Sequence, residues 1–406
     1  MTAHWQKCIR LKEPLLTKPF LLFSFLAALS FLLALYRELT GLGHATGLND
    51  GYSWGLFKNW NVTTLTALGS GGYAVAVFAW IFNVKKFHHI LRTAVLTSLL
   101  GYGTGMLALG VDVGRPWNFV WIANPLTWNQ HSVLLEVAVC MTAYFMLALD
   151  VENMPPFLER MYRSGDSKKR ELSMKIFRFM QKTFPFGIAL AFVLPSMHQA
   201  SLGQLMYLAG SRVHPLWQTA LLPLLYLLMA YILGFACVLL VLMLSSLAWD
   251  LGWDQEILGR LSVIMSVMVI LWTAIRFADI FYRGAQGQIL AFDRYSITFL
   301  AETLLLLIPA FLIQVKSIRN KPRLLFQLSL LIAIGGSLYR FTPTTLAFFP
   351  LGDYRYFPSV AEILMSVGFT SLGVAVFLYA VKKYAILPAS VSKIAAETAL
   401  QPFDTL

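Results

Sequence analysis

Runs of about twenty apolar residues, interrupted by short polar stretches, recur ten times along the chain. A helix rising about 1.5 Å per residue needs about 20 such residues to cross a hydrocarbon core. The pattern therefore predicts membrane helices at residues 19–38, 56–83, 92–112, 131–151, 176–198, 221–247, 260–281, 294–314, 324–345 and 358–381. The fold expected is an all-α polytopic membrane protein, with helices 2–5 and 6–9 as two four-helix bundles and the first and tenth helices flanking them. Residues 1–18 and 382–406 are read as tails on either side of one transmembrane domain, 19–381.

Composition sharpens this reading. Hydrophobic residues make up 58% of the 406 positions and charged residues only 13%, with a mean hydropathy of +0.66. A soluble domain of this length does not carry that balance.

The formal net charge of +12 invites a nucleic-acid reading, but the basic residues sit in short inter-helix loops instead of along one face. Of the 32 Lys and Arg residues, 21 fall on one side: the N-terminal tail, Lys85 to Arg92, Arg160 to Lys175, Arg260, Lys316 to Arg323 and the C-terminal tail. The other side holds Lys58 as its one lysine, with Arg37, Arg115, Arg212, Arg276, Arg283, Arg294, Arg340 and Arg355. By the positive-inside rule both termini are expected in the cytoplasm, in the inner membrane of a bacterium or archaeon, with lipid and no nucleic acid as surroundings. Phe20 to Tyr36 has no small-residue cleavage site after it and is read as a retained first helix.

Three cysteines, Cys8, Cys140 and Cys237, lie too far apart for a metal, cluster or disulfide framework. Any iron-sulfur cluster is expected in a partner. A weak internal repeat is visible as well. Asp112 and Glu136 flank the loop after the third helix, as Asp279 and Glu302 flank the loop after the seventh, which suggests parallel halves at about 54–200 and 220–346.

Charged groups within a bilayer cost upward of about 2.5 kcal/mol and normally face a bundle interior, a partner or water. Glu136, Glu302 and Glu362 are such groups. With a helix starting at residue 131, Glu136 is expected about 8 to 12 Å into its helix, where burial would fit it to carry protons. The bland alternative is an interhelix hydrogen bond. Asp112, Arg115, Trp117, Asn118, Trp128, Asn129 and His131 gather in one loop and its flanking helix ends, and His198 with Gln199 are read as ending the fifth helix on the same side after Pro195. Donors for two carbonyl oxygens, proton exchangers and aromatic walls are what a redox quinone needs. Taken singly, each of these residues is equally well an interfacial tryptophan, a cap or a loop ion pair. Arg276, Asp279 and Glu302 form a second expected charged cluster, and Lys182, Asp150 and Glu152 are weaker candidates for proton entry from the basic side. The seven histidines include no pair expected at facing mid-membrane depths, so a bis-histidine haem is not expected.

Together, Val111–Asn118, Asn129–Glu136 with Ala138–Thr142, Leu194–Gly203, Val213–Gln218, Arg276–Arg283 and Tyr356–Pro358 resemble the NrfD/PsrC family of quinone-interacting membrane subunits, in collinear order from about Gly51 to Pro358. Within that family they are most similar to the HybB-type subunit of uptake nickel-iron hydrogenases. The resemblance implies a cofactor-poor subunit. It would exchange electrons between menaquinone or ubiquinone and a ferredoxin-like iron-sulfur subunit docked on the periplasmic face, beside a catalytic module such as a nickel-iron hydrogenase. It also implies that Glu136 handles protons, that His198 matches the family histidine, and that no haem is carried. Polysulfide, nitrite and tetrathionate reductase complexes share the family, so electron direction stays open. A secondary transporter and a purely structural anchor remain the other classes.

Overall fold

The computed structural model describes residues 8–80, 87–88, 90–148, 154–252 and 254–388. Ten helices carry the architecture: α1 (Lys18–Thr40), α2 (Leu56–Ala79), α3 (Leu91–Asp112), α4 (Val133–Leu147), α5 (Ser167–Leu208), α6 (Leu222–Trp249), α7 (Gln255–Tyr282), α8 (Arg294–Gln314), α9 (Pro322–Phe341) and α10 (Val360–Lys383). Among the described residues, α1–α3 and α6–α10 are each by themselves long and apolar enough to span a bilayer. The protein is thus an all-α multi-pass membrane protein. α4 is described over 15 residues. α5 runs for 42 residues, about 63 Å at 1.5 Å per residue, so its charged first turns project beyond the apolar layer.

Neighbouring helices close two rings, α2–α5 and α6–α9, which meet where α6 packs on α2 and α5. The crossing of α2 and α6 is backbone on backbone. A Cβ at Gly71 would lie 2.3 Å from the Gly234 carbonyl oxygen, and one at Gly234 would lie 2.3 Å from the Gly71 nitrogen. Small residues permit this approach between membrane helices, where dispersion and not water exclusion drives packing. α1 and α10 pair outside the rings, and α10 also rests on α3.

The tails meet. Cys8–Ile9 pairs antiparallel with Leu387–Pro388, and Lys382 Nζ donates to Pro14 O (3.0 Å) and Thr17 Oγ1 (2.9 Å). The two tails therefore share one face, the one to which the basic loops were assigned. Arg92 Nη1, buried at the start of α3, donates to Glu159 Oε2 (3.2 Å) and Ala385 O (2.9 Å) on the same face.

Two helix ends differ from the sequence expectation, with physical reasons. Pro195 does not stop α5, which continues ten residues beyond His198; the Ser196 hydroxyl bonds Phe192 O (2.6 Å) and Tyr231 OH (3.0 Å) and supports the helix past the proline. α4 starts at Val133, because Ser132 caps it by accepting from Leu135 N. Glu136 therefore belongs to the first turn, and its depth is about half the 8 to 12 Å expected.

Candidate functional site

The start of α2 shapes the interior of the first ring. Asn59–Leu65 is π-helical, and the residue types explain it. Asn and Thr are weak α-formers whose side chains compete for backbone groups. Here Asn61 Nδ2 bonds Phe57 O (2.9 Å), Thr63 Oγ1 bonds Asn59 O (2.5 Å) and Thr66 Oγ1 bonds Val62 O (2.6 Å). The wider turn leaves a carbonyl for outside use: Arg340, fully buried on α9, donates to Thr63 O (3.0 Å) and to Tyr226 O of α6 (2.7 Å). One guanidinium thus ties both rings together. π segments recur at functional sites.

His198 is fully buried within the first ring. Its Nδ1 lies 3.1 Å from Val137 O, the residue after Glu136, and its ring meets Tyr102 edge-on at 5.4 Å. A carbonyl only accepts, so Nδ1 carries the proton and Nε2 holds the free lone pair. Nε2 has no partner among the described residues. Gln199 bridges α5 to α2 and α3, donating from Nε2 to Thr66 Oγ1 and Tyr102 OH (both 3.1 Å), while its Oε1, Asn61 Oδ1, both side-chain polar atoms of Asn59 and Arg340 Nε are also buried without partners. Buried polar atoms normally find partners, so this group is set up for a ligand, water or a proton.

The remaining expected residues lie elsewhere. Asp112, at the end of α3, is about 15 Å of helix away from Tyr102. Its carboxylate is 7% exposed and pairs with Lys58 Nζ (2.7 Å) and Arg37 Nη2 (3.2 Å), not with Arg115. Lys58 in turn stands 4.8 Å over the Trp54 ring. Arg115, Trp117, Asn118, Asn129 and His131 are exposed on the segment around the 3-10 turns Pro116–Ala123 and Pro125–Thr127, and Trp128 is half-buried there. Glu136 is also half-buried. The single pocket expected is thus spread over three levels: an exposed rim, an ion-paired end of α3, and an enclosed His198–Gln199 centre. Lys182 is exposed; Asp150 and Glu152 lie outside the described residues.

A cavity of about 400 Å³ opens where Ser53, Trp54, Leu205, Met206, Arg212 and Phe348 meet. Leu205 and Met206 lie seven residues after His198 and Gln199, two turns further along the same face of α5, about 10 Å away. Trp54, over whose ring Lys58 stands, is thus part of the cavity wall.

The second charged cluster divides. Glu302, fully buried, accepts from Arg276 Nη1 and Nη2 (3.2 and 3.1 Å), from Trp217 Nε1 (3.1 Å) and from the Thr342 hydroxyl. Arg276 lies among the rings of Phe299, Tyr339, Trp272 and Trp217, 4.3 to 5.5 Å from their centres. Asp279 instead takes Thr219 Oγ1 and Arg283 (both 2.8 Å). Glu362 is buried and accepts from Tyr356 OH (2.8 Å), Phe57 N (3.1 Å) and Gly47 N (3.3 Å), fastening α10 to the start of α2.

Sequence reasoning missed Lys58, Arg37, Arg340 and the Asn59–Thr66 stretch. Lys58 had a signal as the one lysine on its side. Arg340 had none, because its acceptors are backbone carbonyls.

The fold defines an integral membrane protein with a polar centre enclosed in a helical ring. The family model described as "Polysulphide reductase, NrfD" matches residues 44–344, and the chain belongs to the NrfD family. It is 35% identical to the "Probable Ni/Fe-hydrogenase 2 b-type cytochrome subunit" of Escherichia coli, over 92% of this chain and 93% of that protein. It is 28% identical to the "Menaquinone reductase, integral membrane subunit" of Nitratidesulfovibrio vulgaris, over 82% of each. The residues here do not fit a bis-histidine haem. His198 has Nε2 free, but among the described residues no second imidazole is shown facing it: His131 is exposed on the rim, and His214 lies on the α5–α6 loop with its ring stacked 4.4 Å from that of Tyr295.

Proposed function

We propose that the protein is the quinone-interacting membrane subunit of a respiratory oxidoreductase, most directly of hydrogenase type. A periplasmic iron-sulfur subunit would pass electrons to menaquinone or ubiquinone held beside α3, α4 and α5. Reduction of quinone to quinol takes two electrons and two protons. His198, once protonated at Nε2, would donate to a carbonyl oxygen and deliver that proton to it, while Asp112, held by Lys58 and Arg37 about 15 Å of helix further out, would act in proton exchange at the outer level. Arg115, together with Lys58, would steady the negative charge of the reduced form, and Glu136 would relay protons. Trp117, Asn118, Asn129 and His131 would form the rim toward bilayer and partner. Quinone chemistry is favoured by the kinship with a menaquinone reductase subunit. The single observation that carries the site is the fully enclosed His198 with an unpartnered Nε2.

The test is quinone-linked turnover of the purified complex. Glu136→Gln and His198→Ala should each abolish turnover with the complex still assembled and with partner activity toward an artificial electron acceptor unchanged. Full quinone-linked turnover in both variants would leave the protein as an anchor.

A further inference from the structure

On the tail-bearing face, remote from His198, a second cavity of about 500 Å³ lies between the ends of α2, α7 and the short helix Lys316–Arg319 that follows α8. Its walls are of two kinds. Phe78, Phe87, Val263 and Ile264 form an apolar side, with the two phenylalanine rings 6.4 Å apart. Arg260, Lys316, Arg319 and Asn320 line the other, with Glu256.

Three cations face one carboxylate here, and their bonding leaves charge to spare. Glu256 Oε1 takes Arg260 Nε and Nη2 (3.2 and 2.9 Å). Lys316 is exposed and makes no ion pair among the described residues. Arg319 uses only Nη1 within the protein, capping Ile313 O and Gln314 O at the end of α8 (both 3.0 Å). Gln255 Nε2 pins the Arg319 carbonyl at 3.1 Å. Gly259 lies beside the Arg319 side chain, where a Cβ would stand 3.9 Å from Arg319 Cδ and Nε. Nε and Nη2 of Arg319 are thereby held at the cavity with no acceptor among the described residues.

An apolar cleft between membrane helices, rimmed at its polar end by an excess of cations, matches one kind of molecule: an acyl chain ending in a phosphate. We infer that this cavity binds an anionic phospholipid of the adjoining leaflet. Its phosphate would lie among Arg260, Lys316 and Arg319, and its chain would run along Phe78, Phe87, Val263 and Ile264. Basic pockets between membrane helices select anionic headgroups by this arrangement. The lipid would wedge α7 and the Lys316–Arg319 turn against α2, bracing the two rings on the face opposite the quinone.

The test is native mass spectrometry of the full chain released from detergent, after exchange with phosphatidylglycerol or phosphatidylcholine. Wild type should retain the anionic lipid and shed the neutral one. Arg260→Gln with Lys316→Gln should weaken retention roughly tenfold or more, as expected for two lost phosphate contacts. Lys168→Gln with Lys169→Gln, a charge-matched control on an exposed part of α5, should leave retention intact. Val263→Trp should displace the lipid by filling the apolar end without changing charge, which keeps the test alive if the double variant does not fold. Equal retention of both lipids, an equal loss in the α5 control, or unchanged retention in Val263→Trp would each overturn the assignment.

Discussion

Replacing Glu302 with Leu leaves Arg276 charged in the interior of the second ring. The guanidinium is 2% exposed and Glu302 is fully buried, so neither end is repaid by water. Removing one partner of a buried ion pair costs about 3–5 kcal/mol, because the remaining charge is stranded. Trp217 Nε1 loses its acceptor at the same time, whereas the Thr342 hydroxyl keeps Leu338 O at 2.9 Å. The four rings around Arg276 lessen the penalty through cation–π attraction, each worth about 0.5–2 kcal/mol, and keep it near the lower end of that range. Replacing the pair by apolar residues of similar volume is often neutral or stabilising. Glu302→Leu with Arg276→Met should therefore recover most of the loss, short of the orphaned Trp217 donor. Thermal unfolding of the four proteins of this double-mutant cycle in one detergent measures the coupling. A single-variant loss below about 1 kcal/mol, or a double variant no better than the single, would refute the view that the pair is a stranded-charge lock.

Gly234→Ala should separate the rings at the α2–α6 crossing. Its Cβ meets backbone at Gly71, which no rotamer relieves, so a loss of about 1–3 kcal/mol is expected, and an unchanged melting temperature would contradict the close approach. Lys58→Met should cost about 1.5–3 kcal/mol by removing a charged partner of Asp112; if it melts with wild type, the Lys58–Asp112 pair carries no stability. His214, outside the spans, has its pKa lowered by burial against the opposing pull of Asp293, and its Nδ1 accepts from Leu216 N (3.3 Å). The neutral ring is the one that fits. Its contribution should be complete above the unfolded value near 6.5 and fall as pH drops through the folded value. The melting temperature should therefore decline on acidification from pH 7.5 to 5.5, and His214→Gln should flatten that decline.

The spans were legible because crossing a bilayer demands a long apolar run, and such a run is local in sequence. Depth was not, where a single residue decided it. Pro195 normally marks a helix end, yet Ser196 bonds around it, and this places His198 well inside the ring. Ser132 takes the cap that moves Glu136 outward to the first turn of α4. Partnerships between distant segments were equally hidden. Arg37 and Asp112 are 75 positions apart, and Arg340 meets Thr63 across 277. Loop proximity had suggested Arg115 for Asp112, but the extended backbone of Val113 (ψ 132°) turns the chain out of α3, and helix packing supplied Lys58 and Arg37 instead.

The two rings differ in how their buried polar groups are satisfied among the described residues. In the second ring both oxygens of Glu302 have donors and Arg276 lies between that carboxylate and aromatic faces. In a network so complete each of these donors already has its acceptor, and none is left over to bond a ligand. In the first ring His198 Nε2, Gln199 Oε1 and the Asn59 amide are enclosed without partners, at a cost of about 1–3 kcal/mol for each unpaired group. Packing alone would have favoured apolar side chains there. Such a cost persists where something else supplies the missing bonds. The enclosed unpaired atoms thus belong to the first ring and the closed ion-pair network to the second, with Arg340 joining them at the π-helical turn.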